Sequence, residues 1–325
     1  MLIILYCQQK IKLSHLLLAT LLAFSGCDRP ETPQKIDLSE RIDEKEVIQQ
    51  ISSGKDQSMV LRFGFDFRGS PQEDARQYLP FLNYLSQTTG YQFKLHFTSP
   101  EKNIIDELGN GVVQFASIGA SSYLEAHERY DVVPLVRGLN TQNKAEYRSV
   151  LVMRPDSGIK SVADLQGERM AFGSKTSTQG HLIPRIILKE YGLQLKDLSA
   201  YEYTGSHRKC ADAVISGRFN ICGMQDTMGQ TLAQEGLVSI LHSSDYFPSS
   251  GIAANQVVPE KIIAQVTQAL IDFKPKGKHS DTLYNWNKTE MPNGFTKAKN
   301  EDYDLLRYWS IEFGILQTLK QTTAQ

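Results

Sequence analysis

Two stretches of the 325-residue chain carry residue types able to hold an anion. The first is Gly173-Ser174-Lys175-Thr176-Ser177-Thr178-Gln179-Gly180-His181-Leu182-Ile183-Pro184. It follows a short apolar run, Met170-Ala171-Phe172, and opens a helical pattern. Pro184 has no N–H and fits best inside a first turn, so the helix starts near His181, or starts earlier and bends. Either way the amides around 177–181 have no intrahelical acceptors. Those amides, the Ser and Thr hydroxyls and the positive end of the helix dipole together form an anion-binding start, although a simply capped helix would use the same residues. The second stretch, Gly119-Ala120-Ser121-Ser122-Tyr123, follows an apolar run over 112–118. Ser122 and Glu125 are spaced as a capping box, which would need no ligand. Two hydroxyl-bearing helix starts could also clasp one ligand between them.

Other chemistries lack their residues. No two histidines have zincin spacing, and Cys210 and Cys222 lack a partner pair, so no metal and no cofactor are expected. There is no Gly-x-Ser-x-Gly elbow and no Gly-rich nucleotide loop, and no catalytic activity is expected. The net charge of -1 gives no basic excess for nucleic acid. A hydrophobic content of 41% with 22% charged residues fits a globular body.

The elements that must position these stretches alternate along the chain from residue 59. Strand patterns at 60–65, 92–97 and 112–118 enclose helical patterns at 72–90 and 103–109, with a further helix at 122–129. The order restarts with strands at 147–153, 170–172, 200–203, 220–224 and 237–241, interleaved with helices at 207–216 and 227–235. Helices at 260–273 and 302–313 close the chain. The fold class is α/β with largely parallel sheets flanked by helices. Two successive α/β units and a helical return predict two lobes, with 59–148 and 254–325 in the first and 149–253 in the second. Crossing strands near 147–153 and 249–255 would form the hinge, and a ligand would lie outside the carboxyl ends of the strands.

Four stretches stand in order: Gly119-Ala120-Ser121-Ser122-Tyr123, Tyr147-Arg148-Ser149-Val150, the run 156–167 beginning Asp156-Ser157-Gly158, and Ser177-Thr178-Gln179-Gly180-His181-Leu182-Ile183-Pro184. Together they resemble the phosphate/phosphite/phosphonate-binding proteins of ABC importers. The resemblance implies a two-lobed periplasmic-binding-protein fold of type II that closes around a small phosphorus oxyanion. It also implies a permease and an ATPase as partners, and a monomer. By position it makes Tyr123, Tyr147, Ser177, Thr178 and His181 ligand contacts, with Ser121 and Ser122 beside them. Gly205-Ser206-His207 resembles the family's Gly-Ser-His step, which adds His207, itself able to act as a cap. Asp226 matches an acidic residue after a strand and could equally cap the helix that follows. Gln114 stands where an Asp is usual, Ile118 where an aromatic is common, and Gln179 where a Ser is usual; Phe65-Asp66-Phe67 is bulkier than expected. A sensor that presents its ligand to a signalling kinase is the alternative use of such a fold.

The N-terminus is a separate signal. Lys10 and Lys12 precede a short apolar core over 16–24, and Ser25-Gly26-Cys27 follows. This resembles a secretory signal with a lipobox over 1–27, apart from Phe24 in place of an aliphatic residue, and it predicts a diacylated Cys27. The polar stretch 28–58 has linker composition. The body would then sit outside the cytoplasm, held on the periplasmic side of the cell membrane through the lipid alone. With Cys7 removed and Cys27 acylated, Cys210 and Cys222 remain as either a disulfide or two buried thiols.

Overall fold

Phe63, Phe65, Phe81, Phe115, Phe273, Trp286 and Phe295 gather in one buried cluster. The strands that carry them set the first lobe. In the computed structural model, residues 59–65, 71–99 and 101–317 are described. The expected signal, Cys27 and the 28–58 linker lie outside them. The first sheet runs β13 (Phe295–Lys297), β4 (Val133–Gly138), β12 (Gly251–Ala254), β3 (Phe115–Ile118), β1 (Val60–Phe65), β2 (Gln92–Phe97). Every residue of β3 and β12 is buried, as central strands covered on both faces require. Helices α1 (Pro71–Thr89) and α2 (Ile104–Gly109) follow β1 and β2, and α3 (Ala120–Tyr130) follows β3. Tyr78, Phe81, Leu82 and Leu85 form the buried stripe of α1, which stops at Gly90 in the left-handed region, φ 81°.

The second sheet runs β10 (Ser239–Ser243), β6 (Ser149–Met153), β9 (Ile221–Gln225), β7 (Arg169–Phe172), β8 (Ala200–Tyr203). It is flanked by α4 (Ile183–Glu190), α5 (His207–Ile215) and α6 (Asp226–Gln234). Cys210 of α5 and Cys222 of β9 form a disulfide with Cα atoms 5.7 Å apart, so the open choice between a bridge and two thiols resolves to a bridge. The chain returns through α7 (Glu260–Asp272) and α8 (Asp304–Glu312). Leu306 of α8 joins one core cluster with Tyr123 of α3 and with Ile183 and Ile186 of α4.

Both sheets are mixed. β1 pairs parallel with β2 and β3, and β7 parallel with β8 and β9. Antiparallel pairs arise where the chain crosses over: β12 runs against β3 and β4, and β6 against β9 and β10. The two crossings meet in a short ladder of β5 (Glu146–Tyr147) with β11 (Phe247–Pro248). Since β12 pairs wholly within the first sheet, the return crossing falls at β11, ahead of the boundary expected at 253.

Candidate ligand-binding site

The stretch after β7 folds as its proline dictates. Thr178–Leu182 is one wide helical turn, closed by Leu182 N–H donating to Ser177 O at 3.1 Å and by Ile183 N–H donating to Thr178 O. In that register the next donor would be Pro184, which has none. The carbonyls of Gln179 and Gly180 are therefore left to other partners. Gly173 N–H donates to Gly180 O at 2.8 Å, and Ser149 Oγ donates to Gln179 O at 2.6 Å. Single wide turns of this kind are frequent at functional sites. Gly180 is required here. A Cβ on it would meet Ser177 Oγ at 2.9 Å, His207 Cε1 at 3.0 Å and the Gly173 backbone at 3.1 Å.

The hydroxyls of this turn are held by amides. Gly180 N–H donates to Ser177 Oγ at 2.9 Å. Ser121 N–H, from the first lobe, donates to Thr178 Oγ1 at 2.9 Å. A hydroxyl that accepts from an amide still has a proton to donate to an oxyanion. Thr178 is buried and lines the cleft.

The first lobe brings α3 against this turn. α3 begins at Ala120, with Gly119 as a cap lacking a side-chain bond, so the capping box expected at Ser122 and Glu125 does not form. Ser122 sits inside the first turn and reaches Thr176 O at 3.4 Å; Glu125 pairs instead with Arg129. Ser121 Oγ is buried without a hydrogen-bond partner among the described residues. So is the hydroxyl of Tyr147, 7% exposed on the hinge strand. That hydroxyl lies beside Thr178, Ser250 and the Ala120 backbone, and burial raises its pKa well above the ordinary tyrosine value. Buried hydroxyls left unpaired are uncommon and call for a partner.

A cleft of about 480 Å³ opens over these groups. Ser122, Tyr147, Ser177, Thr178 and His207 line it, together with Lys102, Arg208 and Glu290. His207 is the first residue of α5, behind Ser206, whose side chain accepts from Lys209 N. Gln225 N–H donates to His207 Nδ1 at 3.4 Å. A second cleft of about 650 Å³ adjoins the first and shares Tyr147, Gln179, Gln225 and Glu290 with it. Asp226 lines this second cleft beside Arg148 and Tyr246. Its Oδ1 accepts from Thr227 N at 2.8 Å at the start of α6, and burial raises its pKa above the usual carboxylate value.

Two expected contacts are placed elsewhere. Tyr123 packs on Tyr303, and its hydroxyl donates to Asn300 Oδ1 at 2.8 Å, because α3 turns that side chain toward α8. His181 stands on the inner side of the wide turn. Its Nδ1–H donates to Lys175 O at 2.7 Å, and its Nε2 accepts from the Tyr203 hydroxyl, 3.0 Å away. Burial lowers its pKa to about 4, so the ring is neutral at physiological pH and braces the loop without contributing charge to the cleft. Residues that sequence patterns missed include Lys102, Ser250 and Glu290. Ser250 adjoins β12, and Glu290 lies in the irregular return between α7 and β13, where no periodic pattern marks a residue as facing a cleft. Among the described residues no group of three or more His, Cys, Asp or Glu could hold a metal ion.

A two-lobed α/β body with hydroxyls, amides and an imidazole in its cleft is that of a solute-binding protein. The family model for the periplasmic substrate-binding protein of the phosphonate ABC transporter matches residues 63–303, and the chain belongs to that family. The "Probable ABC transporter phosphite binding protein PhnD1" of Prochlorococcus marinus (strain MIT 9301) is 26% identical over 152 residues, 44% of this chain and 45% of that protein. The phosphonates-binding periplasmic protein of Escherichia coli K12 is 28% identical over 134 residues, 40% of each chain. The chain thus matches less than half the length of these curated relatives. Among solved structures, PhnD1 of Prochlorococcus marinus in complex with methylphosphonate superposes with a TM-score of 0.70 at 17% identity, covering 79% of this chain and 99% of that one. The aliphatic sulphonate-binding protein SsuA of Escherichia coli shares the fold at a TM-score of 0.54 and 17% identity, over 79% of this chain and 87% of its own.

Proposed function

We propose that this protein captures a small phosphorus oxyanion (a phosphonate, phosphite or phosphate) and delivers it to an ABC importer. The observation that carries this reading is the meeting of the two lobes at Thr178. There the hydroxyls of Ser177 and Thr178 stand at a wide helix start, with the buried hydroxyl of Tyr147 close to Thr178 and the unpaired buried hydroxyl of Ser121 beside them. Such a cluster offers several protons to one acceptor-rich ligand and keeps full cations at its rim, on Lys102 and Arg208. His207 lines the same cleft. Asp226 would act as a selector. An ionised carboxylate only accepts, so it demands a ligand hydroxyl; phosphonates and phosphate retain an acidic proton through part of their titration near neutral pH, and sulfate does not.

The partners would be a permease and an ATPase, and the body would be tethered outside the cytoplasm through an acylated Cys27. Calorimetry with phosphate, phosphite, methylphosphonate, aminoethylphosphonate and sulfate tests the ligand class. Tight binding of one phosphorus oxyanion and weak binding of sulfate are expected; binding of none of the phosphorus compounds would remove the reading.

A further inference from the structure

We propose that Gln179, together with Ser149, is a positioning pair that ties the ligand-facing turn to the hinge and so couples ligand capture at 177–178 to closure of the lobes; this rests on the oxyanion reading above. Arg148 is the single residue between β5, in the hinge ladder, and β6, in the second sheet. Its carbonyl accepts the side-chain amide of Gln179, Nε2 to O 2.9 Å. Ser149 Oγ donates to Gln179 O at 2.6 Å and lies 3.1 Å from Met224 O, near the end of β9. The backbone of Ser149 is held in turn by Ser244, whose Oγ accepts from Ser149 N at 3.0 Å and whose N–H donates to Ser149 O at 2.9 Å. Ser244 follows β10 and precedes the return crossing at β11. The outgoing crossing, the approach to the return crossing, the 178–182 turn and the end of β9 therefore meet at one knot. Ser149 is 0% exposed, Gln179 4% and Ser244 6%.

The knot exists because of Pro184. The proline leaves Gln179 O without a helical donor, and the hinge supplies one. The Gln179 side chain is long enough to span to the Arg148 carbonyl. The bonds of Ser149 are buried and costly to break, and with the part-buried Gln179–Arg148 bond they make the turn and the crossing peptide move as one body. A ligand that draws the turn toward the first lobe then acts directly on the hinge.

Amide hydrogen exchange on the full chain, with and without methylphosphonate and phosphite, tests this. In the wild type the ligand is expected to slow exchange both in the turn over 177–182 and in the hinge over 146–149 and 246–249. Ser149→Ala and the near-isosteric Ser149→Cys, at a buried position outside both clefts, remove the strong hydroxyl donor to Gln179 O and should keep protection of the turn and lose about tenfold of the ligand-induced protection of the hinge. An unchanged hinge response in both variants overturns the proposal. Loss of both responses together in both variants also overturns it, since the Ser149–Gln179 tie would then only prop the site. A wild type in which neither oxyanion protects the turn removes the oxyanion reading itself, and this proposal with it.

Discussion

Ser177 and Thr178 give up their lone pairs to backbone amides and keep their protons. Each proton given to a charged ligand contributes about 1.5–3 kcal/mol, so Ser177→Ala and Thr178→Ala should each weaken oxyanion binding about tenfold or more by calorimetry. Asp226 is the residue expected to separate ligands. Burial makes its charged form unfavourable, and a shared ligand proton would relieve it. Asp226→Asn should narrow the preference for phosphorus oxyanions over sulfate. A variant that shifts only its melting temperature would leave the residue as the start of α6. His181 sets a pH dependence. Its folded pKa, about 4, lies below its ordinary value of about 6.5. Between these values the unfolded chain binds more protons, so stability is complete above about pH 6.5 and is lost as pH falls toward 4. His181→Asn should be less stable at pH 7 but show a flatter melting-temperature profile from pH 7 to 4.5.

At the scale of elements, α5 and β9 present His207 and Gln225 to the cleft, and Cys210–Cys222 clamps that pair below it. Cys210 lies within one turn of His207, and Cys222 is near the start of β9, the strand that ends at Gln225. Cross-links of this span stabilise by roughly 2–4 kcal/mol, so the double variant Cys210→Ala/Cys222→Ala should melt measurably lower than the oxidised wild type. Reductant should lower the wild-type midpoint toward that of the variant and leave the variant unmoved. The wide turn ahead of α4 shows how one proline shapes an element. Sequence alone places Pro184 inside a first turn. That the turn would widen, and pass its orphan carbonyls to Gly173 and Ser149, depends on strands far apart in the chain.

At the scale of the whole molecule, the lobes touch through Ser121 and Thr178, share a core that includes Leu306 of α8, and are joined at the β5–β11 ladder. A ligand that binds only the folded state at a hundred times its Kd should add about 2.7 kcal/mol of stability. The proposed acylation of Cys27 would tether the whole molecule. Cys27→Ala should release the protein from membranes or block its processing, and a fatty-acid probe should label the wild type and not the variant.

Local patterns in the chain determined the alternation of strands and helices, the two anion-type helix starts and the family resemblance. Each depends on residues close in sequence: apolar runs such as 112–118, the Gly173–Gly180 spacing, and a proline that cannot donate. The direction of each strand pair, the disulfide and the return crossing at β11 were decided by tertiary structure, because they bring together segments far apart in the chain, such as Phe295 and Gly138. The same holds for individual site residues. Tyr123 and Tyr147 look alike as polar aromatics beside a loop, yet α3 turns one toward Asn300 and the hinge strand leaves the other unpaired at the cleft. His181 and His207 both open helices; a neighbouring carbonyl and Tyr203 claim the first, and Gln225 orients the second in the cleft wall. Only packing assigns such partners, since hydrogen-bond satisfaction is settled by what lies within 3 Å or so in space and not along the chain.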